Sequence, residues 1–119
     1  MSLVADILPV ESLTRTHLDT LRAVLGSDRT VAGLLHVSPS KVSRWRRGQV
    51  PDLDHADRLA GLALVVEILA RRLHHGTIPD WLEGPNGHLD DRSPAYLLRR
   101  GRVADVLAAL EADKAGVYG

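Results

Sequence analysis

Residues 28–47 read DRTVAGLLHVSPSKVSRWRR, and this stretch decides the fold. Ser27 stands just before it as an N-cap, and Val31, Leu34 and Leu35 share one side of a short helix. Ser38 caps a second helix, with Pro39 at its first position, where a missing N–H costs nothing and φ is already set. That helix reaches Arg47, and Gly48 supplies a left-handed stop. Two short helices joined by about three residues have the spacing of a helix-turn-helix. Ala32 is small where the two helices cross, Val37 plugs the turn, Val42 points inward and Trp45 packs partly behind it. His36 occupies the place where such turns prefer glycine, because the turn often needs positive φ. Histidine tolerates that region better than a β-branched residue does.

The outer face of the second helix carries Ser40, Lys41, Ser43, Arg44 and Arg47. Between Arg29 and Arg47 there are five basic side chains and no acidic one. Hydroxyls at a helix N-terminus suit phosphate, and Arg and Lys reach phosphates or the guanine edge in the major groove. The expected DNA contacts are therefore Ser38, Ser40, Lys41, Ser43, Arg44 and Arg47. A helical hairpin with a merely solvated basic face is the plainer alternative. Caps, proline placement, inward spacing and a one-signed outer face all agree on the first.

Outward from this stretch the punctuation stays helical. A first amphipathic helix spans about Ser12 to Leu25, with Leu18 and Leu21 on its apolar stripe and Gly26 as a stop. After a loop over 48–54, a long helix is expected from His55 to His74, with Gly76 as its terminator. Thr77 caps the next turn, and 83–89 forms a tight loop rich in Pro, Asn and Gly. Ser93 and Pro94 open another short helix that Gly101 ends, and a last helix spans Val103 to Asp113. No alternating stretch bounded by hairpin signals occurs. The expected fold is all-α: a helix-turn-helix region over 1–52, then a helical region over 53–119 that ends in a tail.

Composition sets the outer limits. The chain has 119 residues, 45% of them hydrophobic, which suits one small globular unit with an aliphatic core. Cysteine is absent, so disulfides, thiolate catalysis and thiolate-held zinc are excluded. The longest apolar run is too short for a bilayer, and the N-terminal stretch lacks the basic start of a secretory signal. A cytoplasmic protein without a membrane partner is the expectation. Formal net charge is zero, but residues 1–50 hold 7 basic and 4 acidic side chains and residues 51–119 hold 8 and 11. The neutral total thus sums a positive half and a negative one.

Enzyme readings find little support. His74 and His75 are adjacent, which sets them about 100° apart on a helix. His88 with Asp90 and Asp91 is the remaining metal candidate. There is no HExxH, no GxSxG, no phosphate loop and no nucleophile pattern. Neither catalysis nor a metal or cofactor is expected.

The second half carries Trp81-Leu82, Pro85-Asn86, Leu89, Ser93-Pro94, Leu97, Gly101, Val106 and Leu110 in order. Read alone, these are helix anchors and stops. With the preceding helix-turn-helix they resemble the Xre/MbcA/ParS-type antitoxins, whose partners are RES-domain toxins. The resemblance runs from about residue 10 to the end. It implies an antitoxin that binds and silences an NAD-degrading RES-domain toxin and binds its own operator DNA. It also implies a homodimer within a toxin–antitoxin hetero-oligomer. It further implies that the C-terminal end, with Gly116, Val117, Tyr118 and Gly119, blocks the toxin's active-site cleft. Gly116 would free this tail, and Val117 and Tyr118 would fill a pocket. Trp81, Pro85, Asn86 and Arg99 complete the expected toxin-binding set. Trp81 also reads as core, Pro85-Asn86 as a fixed turn, and Arg99, Arg100 and Arg102 as a solvated face. The competing function is a stand-alone dimeric repressor, joined through Leu59, Leu62, Val66 and Leu69 of the long helix.

Overall fold

Leucine, valine and alanine at helical spacing, with almost no aromatic residues, leave helix-on-helix packing as the way to bury apolar surface. The computed structural model describes residues 10–114. Among these are seven α-helices: α1 (Val10–Leu25), α2 (Asp28–Leu35), α3 (Pro39–Arg46), α4 (Leu53–Ala70), α5 (Ile78–Glu83), α6 (Pro94–Arg99) and α7 (Val103–Lys114). Short 3-10 turns, His75–Thr77 and Gly87–Leu89, flank α5. The all-α expectation holds.

The helix starts rest on local chemistry. Ser27 accepts from Thr30 N–H at 3.1 Å, Ser38 from Lys41 N–H at 3.1 Å and Ser93 from Tyr96 N–H at 3.1 Å. Each satisfies one of the N–H groups that a helix start leaves unpaired. The expected stops Gly26, Gly48 and Gly101 all take positive φ.

α4 departs from its expected bounds at both ends. It begins at Leu53 because Asp52 caps it, accepting from His55 N–H at 2.9 Å. It ends at Ala70, and Arg72 just beyond sends Nη1 to the Leu110 carbonyl at 3.0 Å. His74 Nδ1 then accepts from Gly76 N–H at 3.2 Å, so Gly76 lies inside a 3-10 turn rather than ending a helix. Thr77 makes no side-chain cap; its hydroxyl donates instead to the His74 carbonyl at 2.7 Å. The expected loop over 83–89 also tightens into structure, its last three residues forming the second 3-10 turn.

One apolar cluster runs through both halves of the chain. Leu18 and Leu21 of α1 meet Val31, Val42, Trp45, Leu59, Val66, Ile78, Leu82 and Val106 within it. α1 lies most extensively against α4. Leu59, Leu62, Val66 and Leu69 are each at most 2% exposed. The dimer face expected for a stand-alone repressor is thus spent on the chain's own core, because α4 is apolar on nearly every side and needs α1, α6 and α7 around it.

Candidate nucleic-acid and protein interfaces

The turn before α3 sets the first site. His36 adopts the left-handed conformation, φ 55° and ψ 43°, and its N–H reaches the α2 carbonyls of Ala32 and Gly33. Histidine does here what the turn would more readily ask of glycine. Ser38 and Pro39 then start α3, and Val42 and Trp45 anchor it in the core. Trp45 is fully buried rather than partly packed, with its ring 5.7 Å from that of His55.

Anchoring those two residues turns the remainder of α3 outward. Ser38, Ser40, Arg44 and Arg47 are exposed, and Lys41 and Ser43 are half-exposed. Pro39, Ser40, Ser43, Arg44 and Arg47 border one shallow depression. Arg47 Nη1 donates to Ser43 Oγ at 2.9 Å, and Arg44 Nε to Gln49 Oε1 at 3.3 Å. Both guanidiniums are steadied by neutral oxygens, and neither pairs with a carboxylate among the described residues. Lys41 lies close enough to Asp52 to help lower that carboxyl's pKa, a shift caused first by the His55 backbone N–H.

Arg46 behaves differently. Its Nε and Nη2 donate to the two carboxylate oxygens of Asp28 at 2.7 and 2.8 Å, and Nη1 donates to Asp19 at 2.6 Å. This bidentate clamp ties α3 to α2 and α1. The Arg46 hydrogen bonds hold the Asp28 carboxyl below its usual range, and Asp28 in turn raises the guanidinium. The basic run therefore contains a structural member that charge counting treats like the others. The clue lies in spacing: Arg46 falls four residues after Val42, on the inward side of the helix.

The second site gathers on α5 and the connector to α6. Trp81 is half-buried against the core, and Pro85 is exposed. Asn86 organises the connector. Its Oδ1 accepts from His88 N–H at 2.9 Å, its carbonyl from Leu89 and Asp91, and its N–H donates to the Arg92 carbonyl. Asp90 and Asp91 both take positive φ within this turn. His88 Nε2 stands 3.0 Å from Asp113 of α7. Among the described residues no three His, Asp or Glu side chains gather as a metal site, and no helix is long and apolar enough to cross a membrane.

Arg99 sits apart from this group's open surface. Its side chain is 18% exposed, and Nη1 donates to the Leu34 carbonyl at 2.9 Å, with Glu83 at 4.0 Å. It links α6 to the end of α2. The neighbouring guanidiniums that face outward are Arg92 and Arg100, stacked over the Tyr96 ring at 4.9 and 4.4 Å from its centroid. They border a hollow of about 550 Å³ that also touches Leu89, Asp105 and Ala108. Sequence reading passed over Tyr96; its fourfold spacing from Arg92 and Arg100 was the available signal. Gly116, Val117, Tyr118 and Gly119 lie outside the described residues.

Comparison with known proteins agrees along most of the chain. It is 38% identical over 89 residues to the mycobacterial cidal antitoxin MbcA of Mycobacterium bovis and to that of Mycobacterium tuberculosis, covering 74% of this chain and 79% of each relative. It also superposes on a chain from the crystal structure of the M. tuberculosis MbcT–MbcA toxin–antitoxin complex. The TM-score is 0.73 at 33% identity, covering 88% of this chain and 96% of the other. No family model matches.

Proposed function

The chain belongs to the MbcA antitoxin family, and from that premise we propose that it binds and neutralises a cognate RES-domain toxin that degrades NAD. The observation that carries this reading is the match over nearly the whole folded unit to an antitoxin seen in complex with its toxin. The face we assign to the toxin comprises Trp81, Pro85 and Asn86, with the tail over 115–119 entering the active-site cleft. Arg99 supports that face through α6 rather than touching the partner. The outer side of α3 binds operator DNA for autoregulation, through Ser38, Ser40, Lys41, Ser43, Arg44 and Arg47. Support for this second role is that Arg44 and Arg47 pair with no carboxylate among the described residues and stand beside exposed hydroxyls.

Co-expression tests the pair. The RES-type product of the neighbouring reading frame should arrest growth alone, and this chain should restore it. Removing residues 115–119 should weaken rescue while leaving operator binding intact. Failure of the full chain to bind or rescue would remove the toxin reading; unchanged rescue by the shortened chain would remove only the tail's role.

A further inference from the structure

Charge of one sign collects between the turn before α3 and the end of α6. A hollow of about 410 Å³ is bordered there by His36 of the turn, His55 and Arg58 of α4, Tyr96 and Arg99 of α6, and Arg100 just beyond it. Leu35 is the one apolar border, and no carboxylate is among the residues that line it. Two of the cations are set in place beforehand. Arg99 Nη1 is fixed on the Leu34 carbonyl at 2.9 Å, and the Arg100 guanidinium rests 4.4 Å from the Tyr96 ring centroid. Arg92 shares that ring at 4.9 Å and carries the positive border into the adjoining hollow. The nearby acids do not neutralise the group. Asp52 is engaged with His55 at 2.8 Å, and Glu83 stands 4.0 Å from Arg99. Asp54 and Asp57 border a neighbouring groove with Arg58 and Arg100, yet neither arginine forms an ion pair among the described residues.

We propose that this hollow binds a phosphate ester, at a site separate from the outer face of α3. Like charges held together repel, and the cluster gains most from a ligand that brings several anionic oxygens at once. Arg58 and Arg100 clamp those oxygens with their planar forks, the geometry that suits phosphate. Arg99 has one nitrogen spent on Leu34 and adds charge at the back of the site. Tyr96 contributes by holding Arg100 under its ring, so the fork loses little freedom on binding. The hollow has the size of small-ligand sites. The phosphate comes either from a free nucleotide or from DNA backbone that flanks the α3 contact, because His36 belongs to the turn that aims α3. The site stands whether or not the toxin reading above holds; only the DNA source leans on the operator reading.

Titrating the full chain with inorganic pyrophosphate and with ADP at fixed ionic strength tests the free source. Either should bind with a dissociation constant below about 1 mM and shift the ring-proton NMR signals of His36, His55 and Tyr96. Two operator duplexes test the DNA source: one of about 10 base pairs that spans only the α3 contact, and one extended by a further turn on each side. Arg58→Gln combined with Arg100→Gln, with unchanged circular dichroism, should weaken pyrophosphate binding at least tenfold if the source is free. If the source is DNA, it should weaken only the long duplex and lower its salt slope by about two. Arg15→Gln combined with Arg71→Gln removes the same charge from exposed positions elsewhere and should do neither. Arg58→Gln alone leaves the Tyr96 stack intact and carries the test if the double variant melts early. No binding of pyrophosphate or ADP, together with equal long-duplex affinity of wild type and variant, would overturn the proposal. Equal losses from the Arg15 and Arg71 control would overturn it too, since bulk charge would then explain the binding. Failure of the unaltered chain to bind either duplex removes the operator reading and the DNA source, and the pyrophosphate arm then decides alone.

Discussion

The α2–α3 pair and the α5–α6 region each contain a short helix that opens on a capping serine followed by proline, yet they hold their chemistry differently. In α3 the outward groups repeat along one helix, and the core residues Val42 and Trp45 aim them. In the second region the groups sit on a connector that Asn86 folds upon itself, and the arginines belong to different neighbours. One region presents a rigid helix face; the other presents a shaped loop beside helices. That contrast suits a repeated, grooved partner such as DNA for the first and an irregular protein surface for the second.

The largest expected effect separates the two regions outright. Replacing Arg44 and Arg47 together with alanine should lower operator affinity by about a hundredfold and reduce the salt slope by about two. Anisotropy titrations at several salt concentrations would read both. Toxin binding by the same variant should be unchanged; if it falls in parallel, the two regions are one surface and the comparison collapses.

Arg46→Ala asks what the third basic side chain of that segment is for. It should destabilise the fold by about 2 kcal/mol, lowering the Tm by roughly 10 °C, because it leaves Asp28 half-buried without its partner. The pH dependence carries the sign. Asp28 titrates below its ordinary value of 3.8 when folded, so the clamp contributes fully above that pH and is lost as pH falls through the lower folded value. The deficit of Arg46→Ala should therefore be largest near neutral pH and shrink in acid. Thermal melts of both proteins from pH 7 to pH 3 would show it, and a constant deficit would contradict the clamp.

What could be read beforehand follows from range. Caps at Ser27, Ser38 and Ser93 close bonds three residues apart, and sequence shows both partners at once. The Arg46–Asp19 and Arg99–Leu34 links span 27 and 65 residues, so no local pattern announces them. This is why Arg46 reads in the sequence as one more positive charge, and why the anchorage of Arg99 to the end of α2 cannot be read there. The apolar period of α4 continues through Leu73, while the backbone past Ala70 tightens, Arg71 and Arg72 N–H donating to the Ile68 and Leu69 carbonyls at 3.2 and 2.9 Å, so periodicity alone overextends the helix.

His36 is a smaller test of the first region. Its left-handed backbone predicts that His36→Val costs about 1–2 kcal/mol, while His36→Gly is neutral or slightly stabilising. Urea unfolding would rank the three. Equal stability of the valine and glycine variants would mean that the turn relaxes without that conformation, and α3 would lose its fixed aim.

The smallest expected effect is also the most discriminating, because it compares like with like. Ser38 and Ser93 each accept one backbone N–H at 3.1 Å, each followed by proline. Alanine at either should cost about 1 kcal/mol of stability. A serine oxygen that accepts a cap bond still has its own proton to donate. Ser38 lies on the exposed start of α3, where that proton can meet a phosphate; Ser93 is half-buried between α6 and the connector. Ser38→Ala should therefore weaken operator binding several-fold beyond its stability cost, and Ser93→Ala should leave it unchanged. Anisotropy measured well below both melting temperatures separates the two effects. Equal losses of affinity would mean that the hydroxyl acts only through the helix, and the N-terminus of α3 would no longer count as a phosphate contact.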